Sequence, residues 1–202
     1  ASSRSLEGKY RRTGDGWYPT VGPRNQVSNK RKWKRPTLIA AGVVAVGAIA
    51  FWVWLPANGL PTAQKFIRWQ FEDVRHINPA GLADWLADAD RTLPTLLDIR
   101  REDEFSVSHL PNAKRVAPDA TDEELKEFLT DSDQPIVVYC AVGYRSGKMA
   151  RRIQGLGHTN VYNLEGAIFA WATEGNALEG GDKVHPYSAF GRRMLADKLE
   201  AD

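Results

Sequence analysis

The sequence predicts an α/β domain built on an open, mainly parallel sheet with helices on both faces, preceded by one transmembrane helix. Three observations carry that expectation. Helix and strand signals alternate from residue 77 to residue 176, the pattern of a sheet whose strands are joined through helices. The strand candidates are short, continuous apolar runs, as strands covered on both faces require. An uncharged run from Thr37 to Leu55, TLIAAGVVAVGAIAFWVWL, stands apart from everything around it.

In chain order, residues 1–36 come first as a basic arm. They carry ten Lys/Arg against two Asp/Glu, whereas residues 37–202 carry seventeen against twenty-three, so charges of +8 and −6 lie behind the net +2 of the 202-residue chain. A nucleic-acid-binding domain needs its basic charge on the folded face, so this division argues against nucleic acid as a partner and for a membrane surface. The arm up to residue 29 has no sustained apolar period and is expected to have no core of its own. Tyr10, Trp17 and Tyr18 interrupt its polar character.

As a helix rising 1.5 Å per residue, the run 37–55 reaches about 28 Å, close to the thickness of bilayer hydrocarbon. It lacks a polar stripe and follows the cluster Lys30, Arg31, Lys32, Lys34 and Arg35. Phe51, Trp52 and Trp54 gather at its far end, before Pro56, Gly59 and Pro61 are expected to stop it. A long polar lead and a weak small-residue cleavage pattern argue against a signal peptide. The expectation is a retained single span with the N-terminus cytoplasmic and the folded domain on the periplasmic or lumenal side. Residues 56–76 then form a juxtamembrane linker, in which FIRWQF is a candidate amphipathic piece.

The folded domain is expected over residues 77–188. Asn78 and Pro79 are an N-cap and first-turn pair, followed by Leu82, Trp85 and Leu86 on one helix face. TLLDI at 95–99 reads as a buried strand, and Thr121 with Glu124 as a capping box ahead of Leu125, Phe128 and Leu129. PIVVYC at 135–140 is the most apolar strand candidate. Met149, Ile153 and Leu156 mark the next helix, with Gly157 as its stop, and NVYNL at 160–164 a further strand before a helix bearing Ile168 and Trp171. Residues 189–202 are expected to be a tail or a surface helix with a weak apolar stripe.

Cys140 is the only cysteine, which excludes an intramolecular disulfide, and His76, His109, His158 and His185 are scattered, so neither a metal nor any other cofactor is expected. A free cysteine is more often an inert core residue. Cys140, however, ends the most apolar strand and precedes AVGYRSG and a helix starting near Ser146. In a parallel sheet that position opens on the crevice at the strands' carboxyl ends. A helix N-terminus there favours thiolate over thiol, Gly143 lets the loop curl round the sulfur, and Arg145 offers a planar donor fork to an anion.

Three ordered motifs, LLDIRREDEFSVSHLPNA at 96–113, VVYCAVGYRS at 137–146 and VYNLEGAIFAW at 161–171, resemble the rhodanese homology domain over roughly residues 77–185. The resemblance implies a sulfurtransferase in which Cys140 takes sulfur from a small anionic donor as a persulfide and passes it to a thiophilic acceptor. It also implies that Ala141, Val142, Gly143, Tyr144 and Arg145 form the cradle, and that Asp98, Arg100, Glu104 and His109 brace the fold beside it. The Cys-x4-Arg spacing is one residue shorter than in the phosphatase relatives, which fits sulfur better than phosphate. Ser108, Asn112 and Ala167 depart from the family's usual glycines. The alternative is a membrane-tethered assembly subunit that uses the domain to dock in a larger complex, contacting the arm and the span.

Overall fold

The computed structural model describes residues 10–20, 34–129, 131–195 and 197–201. The chain divides into two compact units, Ala1–Ala45 and Val46–Asp202. In the first, β1 (Tyr10–Thr13) and β2 (Gly16–Pro19) pair as an antiparallel hairpin, with Arg11 opposite Tyr18 and Arg12 opposite Trp17. Local order therefore appears in the arm where only polar chain was expected. Gly14, with φ +56°, supplies the left-handed turn that closes it.

Helix α1 (Lys34–Gln70) runs well beyond the expected stop. Among the described residues no single helix is long and apolar enough to cross a membrane. The segments Ile39–Trp54 and Asn58–Gln70 meet the requirement only together, as a pair bent at the break between them. This corrects the expected single nineteen-residue span. Pro56 donates no backbone hydrogen bond and so interrupts the ladder without ending the helical path. Residues 56–76, expected as a linker, instead place Ile67, Phe71 and Val74 in the core.

The second unit holds a five-stranded parallel sheet in the order β3-β7-β6-β4-β5. Its strands are β3 (Arg75–Ile77), β4 (Thr95–Asp98), β5 (Lys114–Arg115), β6 (Ile136–Tyr139) and β7 (Val161–Leu164). Between and after them come α2 (Pro79–Ala87), α3 (Glu102–Val107), α4 (Asp122–Lys126), α5 (Tyr144–Gly155), α6 (Ala167–Thr173) and α7 (Ala189–Met194). The caps sit where the sequence places them. Asn78 Oδ1 accepts from Gly81 N at 2.7 Å, and the Thr121–Glu124 box closes in both directions. The edge strands β3 and β5 are three and two residues long and had no apolar run to announce them.

Strand residues alternate between two cores because successive side chains point to opposite faces. Leu97, Ile136, Val138 and Val161 meet α4, α5 and the end of α1 through Leu125, Met149, Ile153 and Phe71. Leu96, Val137, Tyr139 and Leu164 meet α2, α6 and α7 through Leu82, Ile168, Phe169 and Met194. The last segment belongs to the domain, since Met194 and Leu195 are buried and Val184 bridges Glu200.

On the first face α5 lies so close to Phe71 that a Cβ at Gly147 would stand 2.7 Å from the ring. Gly147→Ala is expected to lower stability by about 1–3 kcal/mol, the usual cost of overpacking a filled core. Urea unfolding measures this, and an unchanged midpoint would refute the packing described.

Candidate active site

The centre of the site is the turn from β6 into α5. β6 lies between β4 and β7, with Val138 opposite both Leu97 and Asn163, so its carboxyl end opens at the middle of the sheet. Cys140 is the next residue and is buried. Its Sγ accepts from the Gly143 amide at 3.2 Å, and the Ser146 hydroxyl lies 3.5 Å away. The loop returns on Gly143, whose φ of +110° places it in a region that suits glycine alone and makes it the residue from which α5 starts. The helix begins at Tyr144, two residues earlier than expected, which brings its first turn onto the sulfur.

Asn163 holds this curve in place. Its Nδ2 donates to Gly143 O at 3.0 Å, and its Oδ1 accepts from the Ser146 hydroxyl at 2.7 Å. The hydroxyl has one proton, and the shorter contact takes it, leaving the Gly143 amide as the clear donor to sulfur. Asn163 was not among the expected site residues. The signal was present as a carboxamide inside an otherwise apolar strand, since a buried polar group must find partners.

Arg145 reaches a different partner from the expected one. Its Nη1 and Nη2 donate to Glu104 Oε2 and Oε1 at 2.9 and 2.8 Å, so the fork is closed on a buried carboxylate. Burial by itself would raise the Glu104 carboxyl, but the Arg145 fork outweighs it and holds the group below its ordinary value. Burial likewise works against the Arg145 charge, and pairing with Glu104 and nearness to Cys140 reverse that and keep it above its ordinary value. A fixed cation therefore stands beside the thiol, held by two of its five N–H donors. Its guanidinium also lies 4.4 Å from the centre of the Tyr187 ring.

Asp98 ends β4 and Arg100 follows two residues later. Both are fully buried; Arg100 Nε and Nη2 donate to the Asp98 carboxylate, and Nη2 also donates to Ser108 O at 2.6 Å. His109 stacks on Phe105 with ring centres 3.9 Å apart, and its Nε2 is 3.5 Å from Glu179 Oε2, away from the sulfur. Among the described residues no group of three or more His, Cys, Asp or Glu is placed to hold a metal ion. The departures from the usual glycines are accommodated. The Ser108 hydroxyl donates to Lys183 O at 2.5 Å, while Asn112 and Ala167 adopt φ of +59° and +50°.

Above Cys140 lies a pocket of about 260 Å³. Ala141, Val142, Tyr144 and Arg145 line it, while Gly143 donates its amide to the sulfur. Its remaining walls come from α1, Phe169 and residues 187–194, of which α1 and the residues from 189 on were expected to lie outside the domain.

The Rhodanese-like domain family matches residues 79–174. A protein of Allochromatium vinosum named sulfurtransferase is 32% identical over 102 residues, covering 50% of this chain and 92% of its own length. A tRNA uridine(34) hydroxylase of Pectobacterium carotovorum is 34% identical over 110 residues, again 50% of this chain but 31% of that protein. The present chain therefore spans about a third of the length of that relative. Among solved structures, a rhodanese-related protein from Thermoplasma volcanium covers 52% of this chain and 98% of its own, with 27% identity and a TM-score of 0.46.

Two outcomes follow from the geometry of the loop. Asn163→Leu leaves Gly143 O and the Ser146 hydroxyl without their buried partner and should cost about 1–3 kcal/mol in thermal unfolding. Glu104→Gln opens the pair with Arg145 and should lower stability at pH 7 by about 3 kcal/mol. Because the folded Glu104 value is depressed, its stabilisation is complete above the unfolded value of about 4.3 and is lost as pH falls through the folded value. The gap between the parent and Glu104→Gln should therefore shrink in urea titrations taken toward pH 3. A gap independent of pH would contradict the pairing.

Proposed function

Because the chain belongs to the rhodanese-like domain family, we propose that it is a sulfurtransferase that carries sulfur as a persulfide on Cys140. The observation that supports this most directly is the placement of the sole cysteine, at the floor of a pocket, with Sγ 3.2 Å from the Gly143 amide at the start of α5. In the first half-reaction the Cys140 thiolate attacks the sulfane sulfur of a donor of the thiosulfate or persulfide type. A new S–S bond forms to Sγ and the donor's own S–S bond breaks. The leaving group departs with the electron pair, as sulfite when thiosulfate is the donor.

In the second half-reaction a thiophilic acceptor attacks the outer sulfur and Cys140 leaves as thiolate, ready for another turnover. The chain's part is to hold negative charge in place on sulfur. The Gly143 N–H points at Sγ, the positive end of the α5 dipole faces the same atom, and Arg145, fixed by Glu104, stands nearby as a permanent cation. Two of the five Arg145 N–H donors are engaged by Glu104, which fixes the guanidinium and leaves its outer N–H groups for an anionic donor.

A membrane attachment is the second proposal, supported by the segment Ile39–Trp54. Ile39, Val43, Val46, Ile49 and Val53 are all largely exposed, a wide apolar surface of the kind that lipid covers. The segment buries this apolar face in the bilayer, with the basic arm against its anionic surface. Native membranes should retain the protein through alkaline carbonate extraction, and release into the wash would refute insertion.

For the sulfur chemistry, Cys140→Ser should reduce persulfide labelling and thiosulfate-dependent thiocyanate formation to background. Turnover retained in that variant would refute the reading.

A further inference from the structure

The pocket above Cys140 is built for something other than a small inorganic anion. Its walls are Ala63, Phe66 and Ile67 of α1, Phe169 of α6, and Phe190 and Met194 of α7. The cation within it, Arg145, is anchored by Glu104 at one side of the pocket. Ser188, the other polar group in the wall, accepts from Gly191 N at 3.1 Å and retains a single O–H. The rings of Tyr144 and Tyr187 at the rim lie against Lys148 and Arg145. A dianion such as thiosulfate entering here would give up its hydration to largely apolar walls. An apolar group entering the same space would be favoured by about 25 cal/mol for each Å² it removes from water.

We propose that the pocket selects an organic persulfide with an apolar body, R–S–S⁻, as the sulfur donor to Cys140; this rests on the sulfurtransferase reading above. The Cys140 thiolate attacks the outer sulfur, the new bond to Sγ forms, the donor S–S bond breaks, and R–S⁻ leaves with the electron pair. Two thiolate-type charges enter the step and two leave it, with no net oxidation. Run in reverse, the same walls seat the apolar thiolate R–S⁻ against the Cys140 persulfide, so the pocket serves the thiol as acceptor too. The wall residues Phe66 and Phe190 are about half exposed, which gives such a body access from solvent.

The test uses the full chain and follows Cys140 loading by mass spectrometry with three donors: thiosulfate, 2-hydroxyethyl persulfide and benzyl persulfide. The last two share the same terminal S–S⁻ and charge and differ in the body. Benzyl persulfide should load Cys140 at least about tenfold faster than 2-hydroxyethyl persulfide, the effect of burying part of one ring, with thiosulfate the slowest. Phe66→Ser and Phe190→Asp, each at a half-exposed position that the fold tolerates, should each narrow the benzyl preference. Equal rates for the two persulfides, a preference unmoved in both variants, or fastest loading by thiosulfate would overturn the inference and leave the sulfurtransferase reading standing. Failure of all three donors to load Cys140 would overturn that reading, and the inference with it.

Discussion

Arg100 carries a full positive charge at a point where none of its surface reaches solvent, and the surrounding domain is arranged so that this charge is never alone. Its Nε and Nη2 are held by Asp98 at the end of β4, its backbone N–H returns to the same carboxylate at 3.0 Å, and Nη2 continues to Ser108 O. Burial alone would pull the guanidinium down, and Asp98 more than reverses that. An unpaired charge here would cost several kcal/mol, so the folded domain depends on keeping β4 and residue 108 together. Tyr139, fully buried on β6, receives the Leu110 amide at 3.0 Å, and burial followed by the nearby Asp98 carboxylate pushes its phenol well above the ordinary value. The polar corner thereby joins β4, β6 and the segment that links them.

From that corner the constraint passes to the thiol. Glu104 lies four residues beyond Arg100; it accepts the Arg101 amide at 3.2 Å as part of the α3 capping box and takes both ends of the Arg145 fork. Arg145 is in the first turn of α5, whose starting residue Gly143 donates to Cys140 Sγ and is itself held by Asn163 from β7. Three strands and two helices thus determine where one sulfur atom sits. Such rigidity matters for charge on sulfur, because a donor group aimed at a charge contributes only when it is already in place.

Much of this was legible in the sequence, for identifiable reasons. β4, β6 and β7 are apolar runs with polar boundaries, and α2 and α4 begin at side-chain caps, so local chemistry suffices to find them. The Cys140–Arg145 loop was readable because strand, glycine, arginine and helix occur in immediate succession. The edge strands β3 and β5 were not, since two or three residues at a sheet margin carry no period of their own. The role of Asn163 was hidden because its partners, Gly143 and Ser146, lie 20 and 17 residues away. The break in α1 depended on whether Pro56 would end a helix or bend it, and flanking residues alone do not distinguish the two.

The sequence by itself determined the α/β class of the folded domain, the place of the sole cysteine and the loop that surrounds it, because these depend on contiguous residues and on an alternation that hydrophobicity imposes along the chain. Only the tertiary structure decided that the Arg145 fork closes on Glu104, 41 residues distant, and that α1 and residues 187–194 wall the pocket over the thiol. Those are contacts between segments far apart in the chain, selected by the requirement that a buried charge find its partner and that apolar faces cover one another. The position of the thiol was therefore visible from its neighbours in sequence, while the walls around it emerged only when distant segments packed together.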